Sequence, residues 1–158
     1  MSRLTHLPEG WTSSTLGEQT DILCGKAFSS SEYVEPEHGT LLLRGDNIGQ
    51  GFLRWRDAKA WPEQENKNLD KYHLRKGDIV LAMDRPWIPA GLKVSEVSER
   101  DLPSLLVQRV ARLRAKNGFS QSLVKQILLG HQFVEYVKGS KTESAVPHIS
   151  AKDIKEFP

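Results

Sequence analysis

The chain has 158 residues, 38% hydrophobic and 27% charged, with a formal net charge of +2 and one cysteine, Cys24. That length suffices for one domain around one core, and no run of about 18 apolar residues is present that could span a bilayer. A single cysteine excludes an internal disulfide, the start lacks the basic-then-apolar order of a secretory signal, and the charge is too small to identify a nucleic-acid partner by itself; the expected compartment is a reducing cytoplasm.

Residues 11–16 read as a first strand, after which Ser13, Ser14 or Thr15 caps a short helix reaching Leu23, with Glu18 favourably placed against the helix dipole. Cys24-Gly25 ends that helix. Residues 26–39 carry a run of serines, a proline and a glycine, predicting an exposed loop of a length that is often functional. Leu41, Leu42 and Leu43 predict a strand, the Gly-rich stretch 44–51 a turn in which Asp46 and Asn47 act as turn-stabilising side chains, and residues 52–55 a further strand. Pro62 suits a first helical position, and with Glu63, Glu65, Lys67 and Lys71 behind it predicts a short helix over 62–70.

The most distinctive stretch is 74–114. After the Gly77-Asp78 turn signal, residues 79–83 form an apolar run of buried-strand length. Two prolines and a glycine make 84–91 a loop displaying Arg85 and Trp87, residues 92–97 resume as a strand, a turn containing Pro103 follows, and 105–113 is a third strand. The expected unit is an antiparallel meander. By period two, Leu105, Val107, Ala111 and Leu113 share one face with Arg109, a cation that is either paired with a carboxylate or functional. Arg112 and Arg114 form a basic row on the other face that continues to Lys116.

From 120 to 138, Leu123, Ile127, Gly130, Val134 and Val137 recur at helical spacing, predicting one amphipathic helix whose Gly130 permits close packing on the sheet and which Gly139 ends. A polar loop covers 140–148. Ser150 and Asp153 then form a capping-box pattern that opens a last short helix.

Catalytic patterns are missing from this sequence. The five histidines have no zinc spacing, and there is no hydrolase elbow, nucleotide phosphate loop or amino-methyltransferase motif. Cys24 reads as a small buried thiol. Asp46 or Asp57 with Glu65 and Lys67 imitates the acid, acid, lysine set of a magnesium nuclease, although the helix dipole already accounts for Glu65 and Lys67. Arg54-Trp55-Arg56 with Lys59 and Trp61 interleaves cations with rings, which suits phosphate contact and stacking, or else core tryptophans beside a solvated face.

LPEGWTSSTLGE, LLLRGDNIGQG, LRKGDIVLAMDRP, GLKV, DLPSLLVQRVARLR and SAVPHISAKDIKEFP, in this order, resemble a target recognition domain of a type I restriction-modification specificity subunit, across essentially the whole chain. The resemblance implies a single α/β (α+β) domain over 1–158, a curved and mostly antiparallel sheet with a few peripheral helices. It implies an amino-terminal fragment or half-subunit lacking the family's helical spacer. It also implies sequence-specific binding of double-stranded DNA without catalysis: reading half of a bipartite target for modification and restriction/translocase subunits that methylate adenine or cleave. No cofactor is expected on this chain; S-adenosylmethionine, ATP and magnesium would belong to the partners.

Three loops are the expected readers, supplying Lys26, Ser29 and Ser30, then Arg85 and Trp87, then Lys138, Lys141 and Thr142, with Arg44, Asn47 and Lys93 as further candidate contacts. Arg85 can make a bidentate contact with guanine or hold the DNA backbone, so the first and third loops are the better candidates for specificity. The rival readings are a protein-interaction module of the same fold, anchored by Trp55, Trp61 or Trp87, and the magnesium nuclease.

Overall fold

The computed structural model describes residues 6–65, 68–139 and 148–158. Its centre is a four-stranded antiparallel sheet in the order β1 (Thr20–Cys24), β9 (Val110–Ala115), β4 (Ile79–Ala82), β7 (Val94–Glu96). β4 is buried along its whole length, because successive side chains serve opposite cores. Ile79 and Leu81 join Ala111 and Leu113 beneath the helices, whereas Val80 and Ala82 join Val110 on the far face. An uninterrupted apolar run is what such a doubly covered strand requires.

The far face packs on a second sheet of β3 (Ala60–Pro62), β2 (Gly39–Leu43) and β8 (Ser104–Leu106), in which β2 and β8 run parallel. Leu43 and Leu106 point back to the central sheet, while Leu42 and Leu105 point outward to Phe28, Trp61 and Leu69. A short hairpin of β5 (Trp87–Ile88) and β6 (Gly91–Leu92) lies within the loop that follows β4. The near face is covered by α2 (Gln121–Leu129), α3 (His131–Gly139) and α4 (Ala151–Glu156), which supply Val124, Leu128, Phe133, Val137 and Ile154. The mixed sheet-and-helix class expected from the sequence is therefore observed, with the strands divided between two packed sheets and a separate hairpin.

Several local expectations are corrected. Residues 11–16 form no strand; Thr15 caps a single helical turn, α1 (Leu16–Gln19), through a capping box with Glu18, and the chain is in β1 by Thr20. Residues 52–55 contribute only an isolated bridge, Ile48 to Leu53. No helix starts at Pro62, which ends β3; a single 3-10 turn, Glu63–Glu65, follows, and Asp70–Tyr72 is another. The run 105–113 is two strands, not one. Arg109 takes φ 64°, and across residues 107–109 the chain leaves one sheet for the other, so the period-two pattern continues while its partners change. β9 accordingly pairs with β4 on the side away from β7, and the three runs do not form a meander.

The helix expected over 120–138 breaks at Gly130, whose ψ of 151° is extended. A side chain there would press its Cβ on the Gln126 and Ile127 carbonyl oxygens at 3.1 and 3.3 Å, so the glycine closes α2 on itself and has no role in packing on the sheet. The basic row of β9 is not a solvated face. Arg112 is 4% exposed and paired with Asp21 at 3.0 Å, and Arg114 donates through Nε and Nη2 to buried Asp78 at 2.6 and 2.9 Å.

Candidate nucleic-acid interface

Antiparallel pairing fixes which loops meet. In the central sheet Cys24 faces Ala111, Ala82 faces Val110 and Leu81 faces Val94, so the loops after β1, after β4 and before β9 all emerge at one end. Backbone hydrogen bonds tie them together: Gln108 N–H donates to the Lys26 carbonyl, Met83 N–H to Arg109, and Ile149 N–H to Met83. The helices bring a fourth segment. Gln121 at the start of α2 sits at the opposite end, bonding to Gly77 and Leu113, and α3 ends with the Lys138 ammonium 5.0 Å from the Trp87 ring.

Asp84 is the hub of this surface. Its carboxylate pairs with the Arg109 guanidinium through one oxygen and with His148 Nδ1 through the other, and Asp84 and His148 also form a β-bridge. The His148 hydrogen bond, aided by Arg109, holds the Asp84 carboxyl below the usual carboxylate range. Arg109 thus takes the paired alternative, but from an exposed turn and not from an apolar strand face. Next in sequence, Arg85 is exposed with φ 46°. Two arginines in the left-handed region each carry about 1–2 kcal/mol of backbone strain, which the flanking hydrogen bonds must offset.

The remaining predicted contacts separate into surface and scaffold. Lys26, Ser29, Ser30 and Lys138 are exposed; the Lys26 ammonium lies 5.5 Å from the Phe28 ring. Trp87 is half-buried under Lys138. Arg44 is half-buried, donating to the Asp57 carbonyl at 3.3 Å with its guanidinium 6.0 Å from the Tyr33 ring. Asn47 is 1% exposed: its amide accepts from Arg44 N–H at 2.9 Å and donates to the Arg54 carbonyl at 3.0 Å, the turn-stabilising work expected of it. Lys93 is buried between the turn at 44–54 and the loop after β4. Lys141 and Thr142 lie outside the described residues.

The other candidate chemistries gain no geometry. Trp61 is a core residue, and Trp55 donates its indole N–H to Asp101 at 2.9 Å. Cys24 is half-buried with Sγ 3.7 Å from Met83 Sδ, and burial pushes its thiol pKa up, the opposite of an activated nucleophile. Among the described residues no three His, Cys, Asp or Glu side chains cluster as metal ligands would. Sequence reasoning overlooked Asp84 and His148 as a pair and Arg54 as a neighbour of Lys93. The available signal was Asp84 itself, a lone acid directly after an apolar run and before Arg85.

No family model matches the chain. It is 37% identical over 149 residues to the type I restriction enzyme EcoAI specificity subunit of Escherichia coli, an alignment covering 94% of this chain and 25% of that protein. It is 36% identical over 137 residues to the MjaVIII specificity subunit of Methanocaldococcus jannaschii, covering 87% of this chain and 31% of that one. The chain thus spans about a quarter to a third of the relatives it matches. Among solved structures, a chain from work on complex assembly and conformational transition of the type I R-M system superposes with a TM-score of 0.64 at 19% identity, over 99% of this chain and 35% of that chain. The HsdS subunit from Thermoanaerobacter tengcongensis gives 0.59 at 20% identity, over 98% of this chain and 34% of that one. These likenesses show a shared fold, and the sequence identities make this chain a homologue, over nearly its whole length, of part of the type I restriction enzyme specificity subunits.

Proposed function

We propose that the chain is a target recognition domain that binds double-stranded DNA and reads one half of an interrupted target for a type I restriction-modification complex. The observation that carries this reading is the gathering of Lys26, Arg85 and Lys138, all exposed, at one end of the central sheet in a homologue of specificity subunits. Lysine and arginine hold phosphates without sequence information, while side chains of protruding loops enter the major groove and meet base edges. The serines at 29 and 30 and the segment from Lys138 onward are the base readers in this proposal. Asn47, whose amide bonds within the chain, and Arg44, which donates through Nη2 to the Asp57 carbonyl, serve the scaffold. Methylation and cleavage fall to partner modification and translocase subunits, which would hold S-adenosylmethionine, ATP and magnesium; this chain supplies recognition without catalysis.

The test is selection of the chain on a randomised duplex library at low and moderate salt. Enrichment of a short fixed sequence is expected, with binding that weakens steeply as salt rises and is indifferent to magnesium. Magnesium-dependent strand scission, or the absence of any duplex binding, would overturn the proposal.

A further inference from the structure

Lys93 joins the hairpin β5–β6 to β7. Its backbone is fixed on both sides, N–H to the Pro86 carbonyl at 2.7 Å and carbonyl to Ala82 N–H at 3.1 Å. The residue is 7% exposed, yet among the described residues its ammonium has neither a hydrogen bond nor a salt bridge. Burying an ammonium without a partner is costly, and proteins ordinarily pair such a group or leave it out. This one is not sealed in: among the described residues the enclosed side-chain polar atoms lacking a partner are Arg44 Nε, Ser95 Oγ, Ser104 Oγ and Arg112 Nε, and Lys93 Nζ is not among them. It therefore keeps an opening to solvent.

Two arginines and one acid stand near that opening. On one side lies the turn at Gly45, where an added Cβ would sit 3.9 Å from Lys93 Nζ, and Arg54 is bound to that turn through the Asp46 carbonyl at 3.2 Å. On the other side Arg85 adjoins Pro86, the residue that holds the Lys93 backbone. Burial pushes the Lys93 ammonium below the usual lysine range; Asp46 opposes this, and Arg54 and Arg85 add to it. Among the described residues, Lys93, Arg54 and Arg85 thus share one neighbouring carboxylate, Asp46, and the Lys93 ammonium has no hydrogen-bonded partner.

We propose that Lys93, flanked by Arg85 and Arg54, forms a notch that takes one phosphate of the DNA backbone. This rests on the DNA-binding reading above and deepens it. The notch holds a phosphodiester without reading a base, and it sets the depth at which the loop after β4 meets the duplex. A tetrahedral anion supplies oxygens to the Lys93 ammonium, which has no partner among the described residues, and to the free donors of the guanidinium groups nearby.

The experiment compares the wild-type chain with Lys93→Met, Arg85→Gln and Lys152→Met in duplex-binding titrations from low to moderate salt. Each neutralised phosphate contributes about 0.9 to the slope of log affinity against log salt. Lys93→Met and Arg85→Gln should each flatten the slope by about one and weaken binding roughly tenfold, equally for all duplex sequences. Lys152→Met, on α4, should leave both unchanged. Arg85 is exposed, so its variant reports even if the buried substitution perturbs folding. If the wild type binds duplex and both variants keep its slope, the notch is wrong and the DNA reading stands. If the wild type binds no duplex, the DNA reading fails, and inorganic phosphate decides the notch alone. A phosphate-dependent shift of the Lys93 amide resonance that Arg85→Gln abolishes would support it; no shift would overturn it.

Discussion

Asp84 ties the loop end together, because its two carboxylate oxygens engage groups from two distant parts of the chain, Arg109 and His148. Its carboxyl is held below the ordinary value, so its contribution to stability is nearly complete above about pH 5, where the unfolded carboxyl is ionised, and is lost as the pH falls through the lowered folded value. Asp84→Asn should therefore lower the melting temperature at neutral pH, and the gap from wild type should close as the pH is taken below 4. A gap that stayed constant down to pH 2 would mean the carboxylate charge contributes nothing. At this scale the sequence was legible where a residue's chemistry is local. Asn47 bonds within seven residues of itself, and its turn role followed from its type. Arg109 is visible as an anomaly, but its partner Asp84 lies 25 positions away, and Asp84's other partner, His148, is a further 64 positions from it, so no local pattern fixes the pairing.

Among the elements, α2 and β9 show how a correct periodicity can mislead. The apolar stripe through Leu123 and Ile127 has the right spacing, but the buried positions are Val124 and Leu128, one residue on, while Leu123 is 46% exposed. Both stripes are apolar, so the sequence determines a helix without determining its rotation; that is decided by Gln121, which locks the first turn to Gly77, Leu113 and Ala115. Leu128→Ala should cost about 2–5 kcal/mol, and Leu123→Ala about 0.5 kcal/mol or less. Chemical denaturation of the two variants distinguishes the phases, and equal losses would put the stripe read from the sequence back in the core. The break at residues 107–109 escaped for a related reason. Leu105, Val107, Ala111 and Leu113 keep strand alternation across a change of sheet, and only the positive φ of Arg109 marks the switch.

Across the whole molecule the two ends of the central sheet use charge differently. At the end where β4 begins, the buried charges are spent internally, while Arg75 and Lys116 face solvent. Asp78 is 3% exposed, bonds both Arg114 and the Arg75 N–H, and so joins a turn to β9, while Arg112 reaches Asp21 across β1. At the other end Lys26, Arg85 and Lys138 face solvent, and none of them has a salt bridge among the described residues. Charge removal should therefore act on different observables at the two ends. Asp78→Ala strands the Arg114 guanidinium and frees the turn, for a loss on the order of 3 kcal/mol in unfolding free energy. Whatever fraction of that protein is folded at low temperature should bind duplex with unchanged intrinsic affinity. Lys26→Ala should leave the melting temperature within a degree or so, since exposed lysines contribute little to stability, while weakening duplex binding and flattening its salt slope by about one. If Lys26→Ala instead destabilised the fold and left binding intact, the cations at this end would be scaffold like those at the other. The face that meets DNA would then have to be sought elsewhere on the chain.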